Sequence, residues 1–342
     1  MTIISFLRFS TLTCALLALA SSVYAQQLGL GLSFYSTYPS ESLSTQCNTI
    51  DRTSELTTQC VEDVVSPEHY VQALVDLNTF TTIAPFSGGN DYELLVANLS
   101  YQDEDAKHYS EFTLQWRGIE IDSFTAVSTV DSSQKVAVSA VAEWLTHALS
   151  ASIFSAPHLY GSIGASDYIS ALKLPQTIHQ FERAGTQLYP DPFQGIVTRY
   201  VHNEFEDAIV DVSIFPFMAQ TQHPSNTLLI GELENDHQLA QSVADQRDLQ
   251  LIAQNPISPF AAHNGNNGFK LHLVANGLDE EPVFATSYAF FAKDKVVKVS
   301  TTFPEGLSDE FTNVLIANIE VPDESKLMSE VRLLLLEAGE HQ

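Results

Sequence analysis

The sequence predicts an α+β protein of two domains, each an antiparallel sheet with helices packed on one face. Three observations predict it. The chain has 342 residues, above the size at which a single core usually stops growing. In the first half, strand-period apolar runs are followed by a helix, an order that suits an α+β layer rather than a doubly wound sheet. Between the halves, residues 155–187 carry Pro157, Gly161, Gly164, Pro175 and Gly185 among short apolar pieces, as a connector with one short helix would. The expected division is a leader over 1–25, a first domain over 26–175 and a second over 176–342.

The leader has a single charge, Arg8, an apolar stretch from about Leu12 to Ala20, and Val23-Tyr24-Ala25 with small residues where a signal peptidase reads. Secretion with cleavage after Ala25 is the expectation. The apolar stretch falls short of the roughly 20 residues that span a bilayer, so no transmembrane anchor is expected. Leu28, Leu30, Leu32 and Phe34 then alternate with small residues as a strand that either joins its own sheet or is donated to a partner's.

Residues 68–77 read as helix and Tyr92 to Leu99 as a buried strand. Tyr109 to Phe124 is a long strand or hairpin: Phe112, Leu114 and Trp116 alternate until Arg117-Gly118, where the apolar phase shifts to Ile119 and Ile121. Trp116 continues the inward phase and reads as core rather than as a ligand platform. Asp131 is placed to cap a helix running to about Phe154, with Val136, Ala140, Val141, Trp144, Leu145 and Leu149 on one face.

In the second half, Ile196 to Val201 and Ile209 to Phe217 form a hairpin around the polar segment 202–207. A helix from about Thr227 to Gln246 and a short strand at Leu249 to Ala253 follow. Phe269 to Val274, Val283 to Ala292 and Val296 to Phe303 make a three-stranded meander turning at Lys293-Asp294-Lys295. Helices over Leu307 to Asn318 and Asp323 to Ala338 close the chain. This order of hairpin, helix, meander and helix over 188–337, entered through Tyr189-Pro190-Asp191-Pro192, resembles the PsbP-like α/β sandwich of secreted and lumenal proteins. The resemblance implies an accessory or binding module.

Charge narrows the partners. With 42 Asp plus Glu against 15 Lys plus Arg, the net charge is −27, and a polyanion does not neutralise phosphates, so no nucleic-acid partner is expected. A hydrophobic share of 44% excludes a disordered acidic tail. Of three cysteines, Cys14 leaves with the leader. Cys47 and Cys60 remain, and in an oxidising compartment they should form a disulfide stapling the polar segment between them.

Catalytic motifs are scarce. The chain has no Gly-x-Ser-x-Gly, His-Glu-x-x-His, Walker, Gly-x-Gly-x-x-Gly or Cys-x-x-Cys pattern. Ser132-Ser133-Gln134-Lys135 matches Ser-x-x-Lys at a helix start, but the Ser-Asp-Asn and Lys-Thr-Gly elements that complete such a site are missing, and a capped helix explains it. Eleven histidines show no pair at metal-binding helix or strand spacing, Glu143 and His147 read as a boundary pair, and no metal is expected. The acidic groups Asp103-Glu104-Asp105, Glu204 to Asp207 and Asp279-Glu280-Glu281 lack calcium-loop grammar and read as turns. Lys293, Lys295 and Lys298 read as lysines blunting a sheet edge, and Asn264 to Gly268 as a flexible stretch that is either a mobile connector or a binding loop.

The expected function is an exported envelope protein acting as a non-enzymatic binding or accessory module for a protein partner or small ligand, with no cofactor. Two rivals are an exported hydrolase whose site is assembled from distant residues and a carrier of an apolar ligand.

Overall fold

The computed structural model describes residues 28–49, 60–101, 107–130, 132–218, 225–247, 249–276 and 282–340. The predicted leader, the Asp131 cap and the acidic groups at 103–105 and 279–281 lie outside them. Along the chain run β1 (Gly31–Ser36), α1 (Glu41–Thr49), β2 (Val61–Glu62), α2 (Pro67–Leu77), β3 (Thr82–Pro85), β4 (Tyr92–Tyr101), β5 (Lys107–Trp116), β6 (Ile119–Ser128), α3 (Ser133–Ser150) and α4 (Ala156–Ser162). There follow β7 (Thr177–Ile178), β8 (Phe181–Leu188), β9 (Ile196–His202), β10 (Ile209–Pro216), α5 (Asn226–Gln246), β11 (Gln250–Ala261), β12 (Asn267–Asn276), β13 (Val283–Ala292), β14 (Lys295–Thr301), α6 (Glu305–Asn318) and α7 (Lys326–Glu340). The architecture is α+β, with two sheets that fall on either side of residue 175.

The first sheet has the order β3-β1-β4-β5-β6, with β2 paired to β4. Its β4-β5-β6 meander is antiparallel and turns at Arg117 and Gly118, both at positive φ, which accounts for the shift of apolar phase there. At its other end β1 runs parallel to both β3 and β4, possible because a crossover carrying α1 and α2 separates β1 from β3. Strand β1 is therefore seated in its own sheet, with Leu32 and Phe34 fully buried. The glycine at 31 has a steric cause: a Cβ there would sit 2.1 Å from Asn90 Oδ1.

Helices α2 and α3 cover one face of this sheet. Trp144 of α3 stacks on Phe112, with centroids 5.6 Å apart, and on Phe80. Short α1 covers one end of the opposite face with Leu43 and Cys47 against Leu99, Tyr101 and Tyr109. Cys60 lies beside them, its Sγ 2.00 Å from that of Cys47.

The second sheet has the order β11-β12-β13-β14-β10-β9-β8-β7, antiparallel throughout. Helices cover both of its faces rather than one, because its central strands are apolar at consecutive positions. Tyr288 and Phe290 of β13, with Val297 and Val299 of β14, face Phe311 and Leu315 of α6. Ala289 and Val296 face Leu229 and Leu233 of α5 on the opposite side.

Residues 155–187 are more than a connector. Helix α4 places Leu159 in the first core and Tyr160 in the second, where the Tyr160 hydroxyl donates to Gly195 O at 2.8 Å. Strands β7 and β8 then extend the second sheet. Near the chain end α7 returns: Leu327 enters the first core, while Arg332 donates to Phe217 O of the second unit.

Candidate functional site

Helix α5 is capped by Ser225, whose Oγ accepts from Thr227 N, and crosses the face of β11 to β14. Its first half is fully packed. Leu229 and Leu233 press on Phe217, Leu271, Leu273 and Val296, with Phe215, Phe269 and Phe291 at the margin. At mid-helix, Lys298 of β14 rises through the interface and donates to Asp236 Oδ1 at 2.7 Å, with Glu232 3.9 Å away.

Beyond Asp236 the residues facing one another become small. Ala240 and Ala244 on the helix oppose Ala275, Ala285, Ser287 and Ser300 on the sheet. Side chains of that size do not fill the spacing set by the leucines and phenylalanines of the other half, and a groove of about 400 Å³ remains. Leu239 and Val243 form its outer wall, Leu249, Leu251, Leu273 and Val283 the opposite side, with Arg247 and Asp236 as the charged positions of its lining. Leu239, Val243 and Val283 are exposed, so the groove opens to solvent along an apolar lip. An apolar concavity of this volume with a few polar groups is what small-molecule sites present.

Other concavities differ in chemistry. A wider depression of about 780 Å³ lies along β8, floored by Gly185 and Thr186 and bounded by Gln176 and by Arg183, whose Nη1 donates to Leu174 O. Beneath α6 a polar cluster is satisfied within itself. Tyr288 donates to Asp309 Oδ1 at 2.5 Å, Lys270 pairs with Glu305 at 2.6 Å and with Asp309 at 3.2 Å, and His272 meets Thr286 Oγ1 at 2.7 Å. Burial and then the Asp309 carboxylate push the Tyr288 hydroxyl far above its ordinary value. Burial pulls the Lys270 ammonium down, but Glu305 and Asp309 outweigh it and hold the ammonium above its usual range. Each of these groups engages another, so the cluster pins α6 to the sheet.

The residues singled out in sequence scatter. Ser132 precedes α3 as its cap residue, Lys135 is exposed, and no hydrogen bond joins the two. His147 pairs with Asp122 of β6 at 3.2 Å and stacks on Phe124, so its boundary partner comes from the sheet rather than from Glu143. Among the described residues no group of three or more His, Cys, Asp or Glu is arranged to hold a metal ion. Trp116 is buried beneath the Arg117 guanidinium, 4.5 Å from its ring centre.

One expectation is overturned. Lys293, Lys295 and Lys298 lie at or in β14, an interior strand, and pair with Asp323, Asp294 and Asp236. They tie the sheet to neighbouring elements instead of blunting an edge, and burial, outweighing Asp294, holds the Lys295 ammonium below its usual range. The loop at 264–268 is a docked hairpin turn: His263 N donates to Asn313 Oδ1 and Asn264 Nδ2 to Ile316 O. The groove was not singled out in sequence. Its only local signal is the spacing of Leu239, Ala240, Val243 and Ala244 beside small residues at alternate strand positions.

No family model and no curated protein matches the chain. Among solved structures, a segment is similar to cyanobacterial PsbP (CyanoP) from Synechocystis sp. PCC 6803, at 12% identity and a TM-score of 0.28, over 45% of this chain and 94% of that one. Among the described residues no helix is long and apolar enough to cross a membrane.

Proposed function

We propose that this chain is an exported, non-enzymatic binding module of the cell envelope whose ligand sits in the α5 groove. The observation that carries the reading is the change from large to small residues halfway along α5, which leaves an open apolar groove against an otherwise filled core. Export is supported by the leader pattern ending at Ala25, and an oxidising compartment by Cys47 and Cys60 at bonding distance. A protein partner is favoured by a separate feature. Strand β8 is covered on its outer side only where β7 pairs with Phe181 and Glu182, and Ala184 to Gln187 are exposed, an edge suited to strand addition.

Native mass spectrometry on the protein recovered from its own envelope fraction tests the proposal. A small apolar adduct or a stoichiometric partner is expected, and the adduct should be lost in Ala285→Leu, which fills the groove. A bare chain mass with turnover of an ester substrate would favour the hydrolase instead.

A further inference from the structure

The rim of the α5 groove carries one basic side chain, Arg247. Arg117, Lys173, Arg199, Lys270, Lys293, Lys295, Lys298, Lys326 and Arg332 each pair with a carboxylate. Lys107, Lys135, Arg183 and Arg247 make no ion pair with a described residue, and of these four only Arg247, exposed at the C-terminal end of α5, lines the groove. In a protein with nearly three acidic side chains for each basic one, a guanidinium without a partner among the described carboxylates, at the mouth of an apolar groove, is set to receive one from a ligand. The shape agrees. Asp236, Leu239, Ala240, Val243, Ala244 and Arg247 recur at helical spacing along one side, a length of about 16 Å at the rise of an α-helix. That is a slot for one straight chain, and its far end is closed to a second anion by the Asp236 carboxylate.

Building on the proposed binding function, we infer that the ligand is a single-chain fatty carboxylate, its chain along α5 and its head on Arg247. Longer chains bind more tightly, by about four-fold per methylene for a fully buried group, until the chain spans the groove, on the order of a dozen carbons for ~16 Å. The protein's overall negative charge opposes any anion, so carboxylate recognition falls to Arg247 and weakens as salt screens it.

The test is calorimetric titration with dodecanoate and with dodecanol, each below its micelle-forming concentration, against the wild type, Arg247→Gln, Arg247→Lys and Ala285→Leu. In Arg247→Gln the dodecanoate affinity should fall by about five-fold, the upper end for a partly exposed ion pair, with dodecanol unchanged. Arg247→Lys should retain most of the carboxylate affinity, and Ala285→Leu should weaken both ligands. Circular dichroism of each variant confirms that the fold is kept. If dodecanoate and dodecanol lose affinity equally in Arg247→Gln, or neither does, the carboxylate assignment is overturned while the groove stands as an apolar site. If neither ligand binds the wild type, the groove reading falls with it.

Discussion

Tyr70 gives the folded state a measurable sensitivity to alkali. Its ring is buried against Phe112, and its hydroxyl shares a 2.7 Å hydrogen bond with Ser110 Oγ. Burial, which disfavours the phenolate, pushes its pKa up to about 12 from the ordinary 10.0. A folded-state pKa above the unfolded one contributes stability that is complete below pH 10 and is lost as pH rises toward 12. At about 1.4 kcal/mol per unit, roughly 2 kcal/mol is gone by about pH 11.5. Tyr70→Phe removes the titrating group, and near pH 8 it costs about 1 kcal/mol for the lost hydrogen bond. The variant should thus be the less stable protein at neutral pH and the more stable one at about pH 11.5, with the order reversing near pH 11. Urea unfolding read by tryptophan fluorescence suits the test, because both tryptophans, Trp116 and Trp144, are buried in the same core as Tyr70. Stability curves that run parallel from pH 8 to 11.5 would refute the reasoning.

Three further outcomes are expected. The exported protein should begin at Gln26 by mass and show no free thiol until reduced; reduction should cost about 3 kcal/mol for a loop of this length in the chain-entropy model. Arg332→Met should destabilise by about 3 kcal/mol in urea unfolding, because the almost wholly buried guanidinium pairs with Glu324 and donates to Phe217 O, while Asp294 keeps Lys295 as its partner. Limited proteolysis between 163 and 177 should leave two pieces that co-elute on size exclusion until denatured, since α7 seats Leu327 of the second piece in the core of the first. Separation of the pieces without denaturant would contradict that placement.

Much of the fold was legible in the sequence where one element decides its own pattern. The alternation Phe112, Leu114, Trp116 and its shift at Arg117-Gly118 identify the β5-β6 turn, because two positive-φ residues form a tight hairpin. The runs 209–217 and 283–292 likewise identify β10 and β13. Strand β8 was missed because Ala184 to Gln187 are exposed at a sheet edge and carry no apolar phase. Strand β11 extends past residue 253 through shifts of register between Ala253 and Ser258, which scramble a period-two pattern. The lysines at 293–298 were misjudged because Asp236 lies on α5, 62 residues from Lys298, and only the folded chain brings them together. The groove was hidden for the same reason. Alanines at 240, 244, 275 and 285 are unremarkable singly, and become a concavity only when helix and sheet are held apart by larger residues elsewhere.

The proposed function places an apolar molecule between α5 and β11 to β13. Methyl-resolved NMR of leucine-labelled protein during a dodecanol titration tests it directly. The methyls of Leu239, Leu249, Leu251 and Leu273 should shift together and saturate, while those of Leu94 and Leu114 in the first core stay fixed. Shifts confined to other residues, or a groove whose four leucines do not respond, would contradict it.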